Sequence, residues 1–264
     1  MKTISLILVI FNFFNLYSQE SIKADINTPS QFFIDTLYSQ NLKENRLLTI
    51  YLPQGFNKDS IYPVIYATDG QIITESYRKS IDSLIELNII TKVVLIGVHS
   101  NETYIPAYRM EYRNFEYVKN IGATDTLSLR FYKHYDFFTK EVLEYAQNKY
   151  SVSSKRENRV FYGTSNGADF GVTLAMENPE LIQSYIYCSI VSGSKEPYQW
   201  TKSNSPNFYI YYGNDEDDMI KDEAIKLSNY LNEQNLNYKL AFFQGGHDRK
   251  KWEYSFLKIL PQLF

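Results

Sequence analysis

The sequence predicts one α/β domain, built on a mostly parallel sheet with helices on both faces. Strand-like segments alternate with helical segments along the chain, which is typical of a parallel sheet with helical crossovers. Two strand-like segments, residues 62–68 and 92–98, are nearly continuous apolar runs, as expected of strands covered on both faces. No Pro/Gly/Ser-rich linker, charge block or internal repeat divides residues 20–264, so we expect a single domain there.

The predicted elements follow one another in a regular order. Residues 31–38 and 46–52 are rich in β-branched and aromatic side chains and predict an opening antiparallel pair. After the two apolar runs, further strands are predicted at residues 159–163, 183–190, 207–213 and 238–244. Helices are predicted at residues 75–87, 127–150, 168–178, 221–232 and 251–260. In such a sheet, functional side chains gather at the carboxyl ends of the strands.

The composition excludes several classes of partner and site. The 264 residues include 27 basic and 30 acidic side chains, for a net charge of −3. A nucleic-acid surface needs a concentrated basic face, which this chain lacks, so no nucleic-acid partner is expected. Three histidines and one cysteine leave little material for a zinc site, and we expect no metal. The lone cysteine, Cys188, lies in an apolar strand and is expected in the core.

The first residues have the pattern of a secretory signal peptide. Lys2 supplies a positive charge, and residues 4–14 form an almost unbroken apolar stretch that is too short to span a bilayer. We expect a signal peptide at residues 1–18, cleaved after Ser18, and therefore an exported protein, periplasmic or secreted, with no membrane span once it is cleaved. An uncleaved membrane anchor and a buried first strand are the alternatives.

A candidate nucleophile lies in the segment Gly163-Thr164-Ser165-Asn166-Gly167. It follows a predicted strand and precedes a predicted helix. This G-x-S-x-G pattern allows a sharp strand-to-helix turn, because glycines two residues on either side of the serine remove Cβ atoms that would collide. The helix N-terminus favours negative charge near the serine hydroxyl. An ordinary structural turn is the alternative interpretation.

The candidate general base is His247, which follows two glycines after the last predicted strand. The glycines allow the loop to turn so that the imidazole reaches the serine. His99 stands at a strand end and is a candidate for lining the pocket. His134 lies in the middle of a predicted helix, where a packed or solvated position is expected.

The candidate acid lies in the run Asp215–Asp218, just after the predicted strand at residues 207–213. A carboxylate here would orient the histidine and stabilise its imidazolium form. Four consecutive acids are more typical of a solvated loop, so at most one is expected to act. Glu216 and Asp217 are the two candidates, and the order serine, acid, histidine holds for either.

Together these segments resemble the Putative esterase family of α/β-hydrolases, which includes enterochelin and feruloyl esterases. The similar segments are YLPQGF, YPVIYATDGQ, Arg113-Asn114-Phe115-Glu116-Tyr117, GTSNG, GNDED and GGHDRKKW, within residues 46–258. Ala168 departs from the pattern, which has a second glycine there. The resemblance implies the α/β-hydrolase fold, with about eight strands, and a cofactor-independent serine esterase. The expected oxyanion hole uses the N–H of Asn166 and a second N–H at Gly70 or Gln71.

The resemblance leaves the substrate and the reaction partly open. A small-molecule or oligosaccharide ester is expected, either a siderophore ester or a feruloyl or acetyl carbohydrate ester. The enterochelin esterases of the family slightly favour the siderophore. Candidate pocket residues are His99, Arg113 and Trp252, and Arg113 could instead pair with a neighbouring acid. An acyltransferase or a catalytically inactive ligand-binding homologue is the alternative function.

Overall fold

An eight-stranded sheet forms the centre of the structure, a computed structural model that describes residues 28–122, 125–193 and 197–264. The predicted signal peptide therefore lies outside the described residues. The strands in chain order are β1 (Gln31–Ser39), β2 (Glu44–Leu52), β3 (Val64–Thr68), β4 (Val94–Val98), β5 (Tyr104–Ile105), β6 (Met110–Glu111), β7 (Arg159–Thr164), β8 (Ser184–Cys188), β9 (Asn207–Gly213) and β10 (Tyr238–Phe243).

The strands of the large sheet lie in the order β1-β2-β4-β3-β7-β8-β9-β10. The pairs β1–β2 and β2–β4 are antiparallel, whereas the pairs from β4 to β10 are parallel. This arrangement confirms the predicted antiparallel opening and the α/β fold. The inner strands β3, β4, β7 and β8 are buried along their whole length, which explains their continuous apolar sequences.

Helices cover both faces of the sheet. They are α1 (Glu75–Glu86), α2 (Tyr112–Tyr117), α3 (Arg130–Asp136), α4 (Leu143–Tyr150), α5 (Asn166–Glu177), α6 (Asp218–Glu233) and α7 (Arg249–Ile259). One hydrophobic cluster packs α1 and α7 against the sheet, and the other packs α2 to α6 against the opposite face. None of the helices in the described part of the chain is long and apolar enough to cross a membrane.

The structure differs from the predicted elements in the segment that precedes β7. The single helix predicted at residues 127–150 is divided into a 3₁₀ turn, α3, a π-helical turn at Phe137–Val142, and α4. The wider π turn shifts the buried face of the helix, and Phe137, Phe138 and Val142 all lie in the core. Residues 104–117, which the sequence did not assign to elements, form the short β5–β6 hairpin and α2.

A buried ionic cluster anchors α2 to the sheet. Glu116 of α2 is fully buried and accepts hydrogen bonds from Arg46 of β2, at 2.6 and 3.0 Å. Arg130 of α3 donates to the same carboxylate at 2.6 Å. Burial acts to raise the pKa of Glu116, but the guanidinium groups of Arg46 and Arg130 oppose it, and the pKa is lowered to about 2. The carboxylate therefore stays ionised, and removing one partner would leave a buried charge uncompensated.

Phe170 of α5 is the aromatic centre of the larger cluster. Its ring is fully buried and contacts six other rings, those of Tyr117, Phe131, His134, Tyr135, Phe138 and Phe161. Helix α5 also carries the G-x-S-x-G turn at its start, so this packing fixes the helix on which the turn depends.

We expect Phe170→Ala to lower the free energy of unfolding by about 3–5 kcal/mol, because it leaves a cavity among packed rings. Urea unfolding measures the change. Phe242→Ala is the matched control, because Phe242 lies on the edge strand β10 and is 60% exposed. The control should cost less than about 1 kcal/mol. Equal losses in the two variants would contradict the central role of Phe170.

Candidate active site

Ser165 lies on a strained turn between β7 and α5. Its backbone has φ 55° and ψ −132°, a conformation that non-glycine residues rarely adopt. The backbone segments around the turn approach each other closely: a Cβ atom on Gly163 would lie 2.5 Å from the carbonyl oxygen of Gly167. A Cβ atom on Gly167 would lie 2.3 Å from the Thr68 hydroxyl oxygen. Both glycines of the motif are therefore required by close approach, as the sequence pattern predicted.

His247 and Glu216 form a hydrogen-bonded pair. The Nδ1 atom of His247 lies 2.9 Å from Oε1 of Glu216. The other carboxylate oxygen of Glu216 accepts a hydrogen bond of 2.8 Å from the Gly213 N–H, so the loop folds back on the end of β9. Asp217, the other candidate acid, is exposed and directly precedes α6. The structure therefore places Glu216, and not Asp217, against the histidine.

The carboxyl group of Glu216 is held in its ionised form. Burial acts to raise its pKa, but hydrogen bonds from His247, Ser189 and the Gly213 N–H outweigh burial and hold the pKa below its ordinary value. An ionised carboxylate on Nδ1 orients the imidazole and can stabilise an imidazolium that forms during reaction, as a catalytic triad requires.

Two further residues support this pair. The indole N–H of Trp252 donates to the Ser189 hydroxyl at 2.8 Å, and the Trp252 ring packs edge-on against His247 at 4.6 Å. Ser189 follows β8 with φ 60°, and it is fully buried. The sequence analysis did not identify Ser189; its signal was a polar residue directly after a buried strand. Trp252, a candidate pocket residue, thus contacts the histidine and also lines the cavity beside it.

Two backbone N–H groups are available near Ser165. Within the described part of the chain, neither the N–H of Asn166 nor that of Gln71 takes an acceptor. Asn166 is the first residue of α5, where backbone N–H groups have no partner within the helix. Gln71 lies in the turn after β3 and lines the same cavity as Ser165. Such groups stabilise a developing oxyanion when they are aimed at it.

Asp69 holds the turn after β3 in place. It has a left-handed backbone, with φ 53° and ψ 47°, and it is buried. Its carboxylate accepts two hydrogen bonds from Arg113, at 2.6 and 2.7 Å, and its N–H donates to the hydroxyl oxygen of Tyr117 at 3.1 Å. Arg113, a candidate pocket residue, lines the cavity but is paired with Asp69 and not with a neighbouring glutamate.

Ser165, His247 and Trp252 line one cavity of about 300 Å³. Within the described part of the chain, no hydrogen bond joins Ser165 to His247; such bonds are often loose in unliganded enzymes and tighten when substrate binds. The walls are polar and carry charge of both signs. The charged residues of the lining are Asp69, Glu102, Glu111, Arg113 and Arg249.

The other two histidines lie away from Ser165. His99 lines a neighbouring cavity, which shares Gln71 and Glu102 with the cavity of Ser165. His134 is fully buried between aromatic rings, and burial lowers its pKa to about 3, so the imidazole is neutral. Cys188 is also buried in the core. In the described residues, no group of three or more His, Cys, Asp or Glu side chains could hold a metal ion.

The fold resembles solved structures of several esterases. A ferulic acid esterase is 19% identical, with a TM-score of 0.73, over 90% of this chain and 98% of the other. The enterobactin esterase of Shigella flexneri is 14% identical, with a TM-score of 0.70, over 91% of this chain and 62% of the other. The S-formylglutathione hydrolase of Staphylococcus aureus is 14% identical, with a TM-score of 0.65, over 90% of this chain and 97% of the other. These likenesses show the α/β-hydrolase fold.

The sequence itself places the chain in a family. A comparison with curated proteins found no match. Residues 39–216 match the family described as Putative esterase, and this range includes the Ser165 turn and Glu216. The chain shares the α/β-hydrolase fold with esterases of known structure. Since the family match covers most of the chain, this protein belongs to the Putative esterase family.

Proposed function

We propose that this protein is an exported serine esterase that cleaves a carboxylic ester through Ser165, His247 and Glu216. The single observation that carries the proposal is the hydrogen bond between His247 and Glu216 beside the cavity that Ser165 lines. Family membership supports ester hydrolysis as the activity. Export rests on the signal-peptide pattern of residues 1–18.

The proposed reaction has two stages. His247 accepts the hydroxyl proton of Ser165 while the oxygen attacks the ester carbonyl carbon, and the alcohol then leaves with that proton. Water, activated by the same histidine, hydrolyses the acyl-enzyme. Glu216 stabilises the imidazolium formed in each stage. The N–H groups of Asn166 and Gln71 stabilise the oxyanion; we prefer Gln71 to Gly70 because Gln71 lines the cavity of Ser165.

Two alternatives share this fold. An acyltransferase would use the same acyl-enzyme and give the acyl group to an alcohol other than water. A catalytically inactive homologue would bind its ligand without reaction. The strained backbone of Ser165 favours an enzyme over a binding homologue, because backbone conformations of this kind cluster at active sites.

The charges of the cavity favour a neutral ester over an anionic one. Arg113, one of the two arginines in the lining, is neutralised by its two hydrogen bonds with Asp69. Glu102 and Glu111 add two negative charges on the same walls, against the one positive charge of Arg249, so the lining as a whole is negative. An iron-loaded catecholate siderophore is anionic and would meet repulsion there. Feruloyl or acetyl esters of carbohydrates are neutral, so we place them first and siderophore esters second.

Ser165→Ala should abolish hydrolysis of p-nitrophenyl acetate, lowering kcat on the order of 10³-fold or more, because the nucleophile is lost. The mature protein should also react with a fluorophosphonate probe at Ser165. Circular dichroism checks that the variant is folded. Full activity in the variant would exclude the proposed mechanism, and no probe adduct on the wild type would favour the binding homologue.

Glu216→Gln should lower kcat by about 10²- to 10⁴-fold, because it removes the charge that stabilises the imidazolium. Asp217→Asn is the matched control: it removes a neighbouring charge that does not contact His247, and activity should stay close to wild type. Steady-state kinetics of both variants on p-nitrophenyl acetate measures the difference. The reverse order would assign the acid to Asp217.

A hydrolysis panel of methyl ferulate, acetylated xylan and ferric enterobactin tests the substrate class. The neutral esters should be cleaved with the higher kcat/KM, and Glu111→Gln should improve cleavage of ferric enterobactin relative to methyl ferulate by reducing repulsion. Faster cleavage of enterobactin by the wild type would reverse the order. If only short p-nitrophenyl esters were cleaved, both substrate classes would be rejected and the general esterase activity would stand.

A further inference from the structure

A chain of hydrogen bonds joins the turn that follows β3 to β2 and to the residue after β4. The hydroxyl of Thr49, on β2, is 2.8 Å from the carbonyl oxygen of Gly70. The same hydroxyl oxygen is 2.8 Å from Nε2 of His99, which follows β4. Thr49 is almost fully buried, so water does not compete for these bonds.

The chemistry of the three groups fixes the direction of each bond. A carbonyl oxygen can only accept, so the single proton of the Thr49 hydroxyl is donated to Gly70. The Thr49 oxygen must then accept a hydrogen bond from the Nε2–H group of His99, which fixes the tautomer of the neutral imidazole. Burial and the nearby Arg46 guanidinium lower the pKa of His99, in keeping with a neutral ring. Arg46 also donates to the carbonyl oxygen of His99 at 2.5 Å and holds that residue in place.

Two hydrogen bonds to the Gly70 carbonyl, the shorter from Thr49 at 2.8 Å and the longer from the N–H of Ile73 at 3.2 Å, determine where the next N–H points. A trans peptide is planar, so the C=O of Gly70 and the N–H of Gln71 point in opposite directions. With the carbonyl held toward Thr49, the N–H of Gln71 is directed away from it, and Gln71 lines the cavity of Ser165. Within the described residues this N–H has no acceptor.

Neighbouring contacts keep the peptide from moving. A Cβ atom on Gly70 would lie 2.1 Å from the carbonyl oxygen of Gly97 and 2.8 Å from Cδ2 of His99, so the turn is packed directly against β4 and the imidazole. The side-chain amide of Gln71 is bonded to Ser100, through its nitrogen at 2.5 Å and its oxygen at 3.1 Å. His99 and Ser100, which follow β4, thus contact the turn at Gly70 and at Gln71.

We propose that Thr49 and His99 are positioning residues, which hold the Gly70–Gln71 peptide so that the N–H of Gln71 points at the oxyanion. The chain His99–Thr49–Gly70 also polarises the peptide, because hydrogen bonds in series strengthen one another, and this makes the N–H a better donor. The inference rests on the proposed esterase function. Neither residue lines the cavity of Ser165, so the effect should be felt in the transition state and not in substrate binding.

Thr49→Val tests the proposal, since valine has the shape of threonine without the hydroxyl. We expect kcat on p-nitrophenyl acetate to fall about 10- to 100-fold with little change in KM, because a donor in the oxyanion hole is misplaced. Binding of a boronic acid, whose tetrahedral adduct with Ser165 occupies the oxyanion hole, should weaken by a similar factor. Thr49→Ser keeps the hydroxyl and should restore both quantities.

A second pair of variants makes the result independent of the Thr49 site. His99→Leu removes the donor to Thr49 and should reproduce the loss of kcat and of boronate affinity, whereas His99→Gln, which keeps an N–H donor, should lose less. Thr173→Val is the structural control, because Thr173 is a buried threonine of α5 away from the turn. Thermal unfolding of every variant separates a loss of stability from a loss of alignment.

The outcomes distinguish the inference from the function on which it rests. If Thr49→Val and His99→Leu keep wild-type kcat and boronate affinity while Ser165→Ala is inactive, the positioning role is wrong and the esterase stands. A loss confined to KM, or one that Thr49→Ser fails to restore, also overturns the positioning role. If Ser165→Ala is fully active, the proposed function itself is wrong.

Discussion

The site depends on the close approach of two turns, one after β3 and one after β7. Gly167, at the start of α5, packs so closely against Thr68 and Asp69 that any side chain at its position would overlap the Thr68 hydroxyl. This contact fixes the distance between the Ser165 turn and the turn that carries Gln71. Each turn contains a residue with a positive φ, Asp69 and Ser165, and strained backbone of this kind persists only where the surrounding packing holds it.

Helix α2 stabilises this contact between the two turns, and the residues that do so lie in the segment Arg113–Tyr117. Arg113 and Tyr117 both bond to Asp69, and the amide of Asn114 accepts a hydrogen bond of 2.7 Å from Asn166, next to Ser165. Glu116 faces the other way and is locked between Arg46 and Arg130. A helix of only six residues has little stability of its own. Its position is therefore set by these ionic and polar contacts, which link it at once to β2, α3 and both turns.

Glu216 and His247, the proposed acid and base, are placed by a balance between burial and hydrogen bonding. Burial would make the Glu216 carboxyl prefer its neutral form, but three donors reach it and keep its pKa low. One of these donors, Ser189, is itself fixed by Trp252, whose ring packs against His247. Trp252 thus supports Glu216 through Ser189 and supports His247 through ring packing. An ionised, oriented carboxylate is what nucleophilic catalysis by serine requires of this position, and a simple binding pocket has no such requirement.

The sequence by itself determined the fold class, the G-x-S-x-G turn and the histidine that faces it in the cavity, because these depend on local patterns: periodicity, flanking glycines and the order of strands and helices. It left Glu216 and Asp217 equivalent, because the choice depends on how the loop folds back to Gly213, which only the tertiary structure decided. The same holds for Arg113, whose partner Asp69 lies 44 residues away, and for Thr49 and His99, whose roles come from the packing of β2 and β4 against the turn at Gly70. Contacts between residues distant in sequence carry no local pattern, so their chemistry becomes visible only when the sheet brings them together.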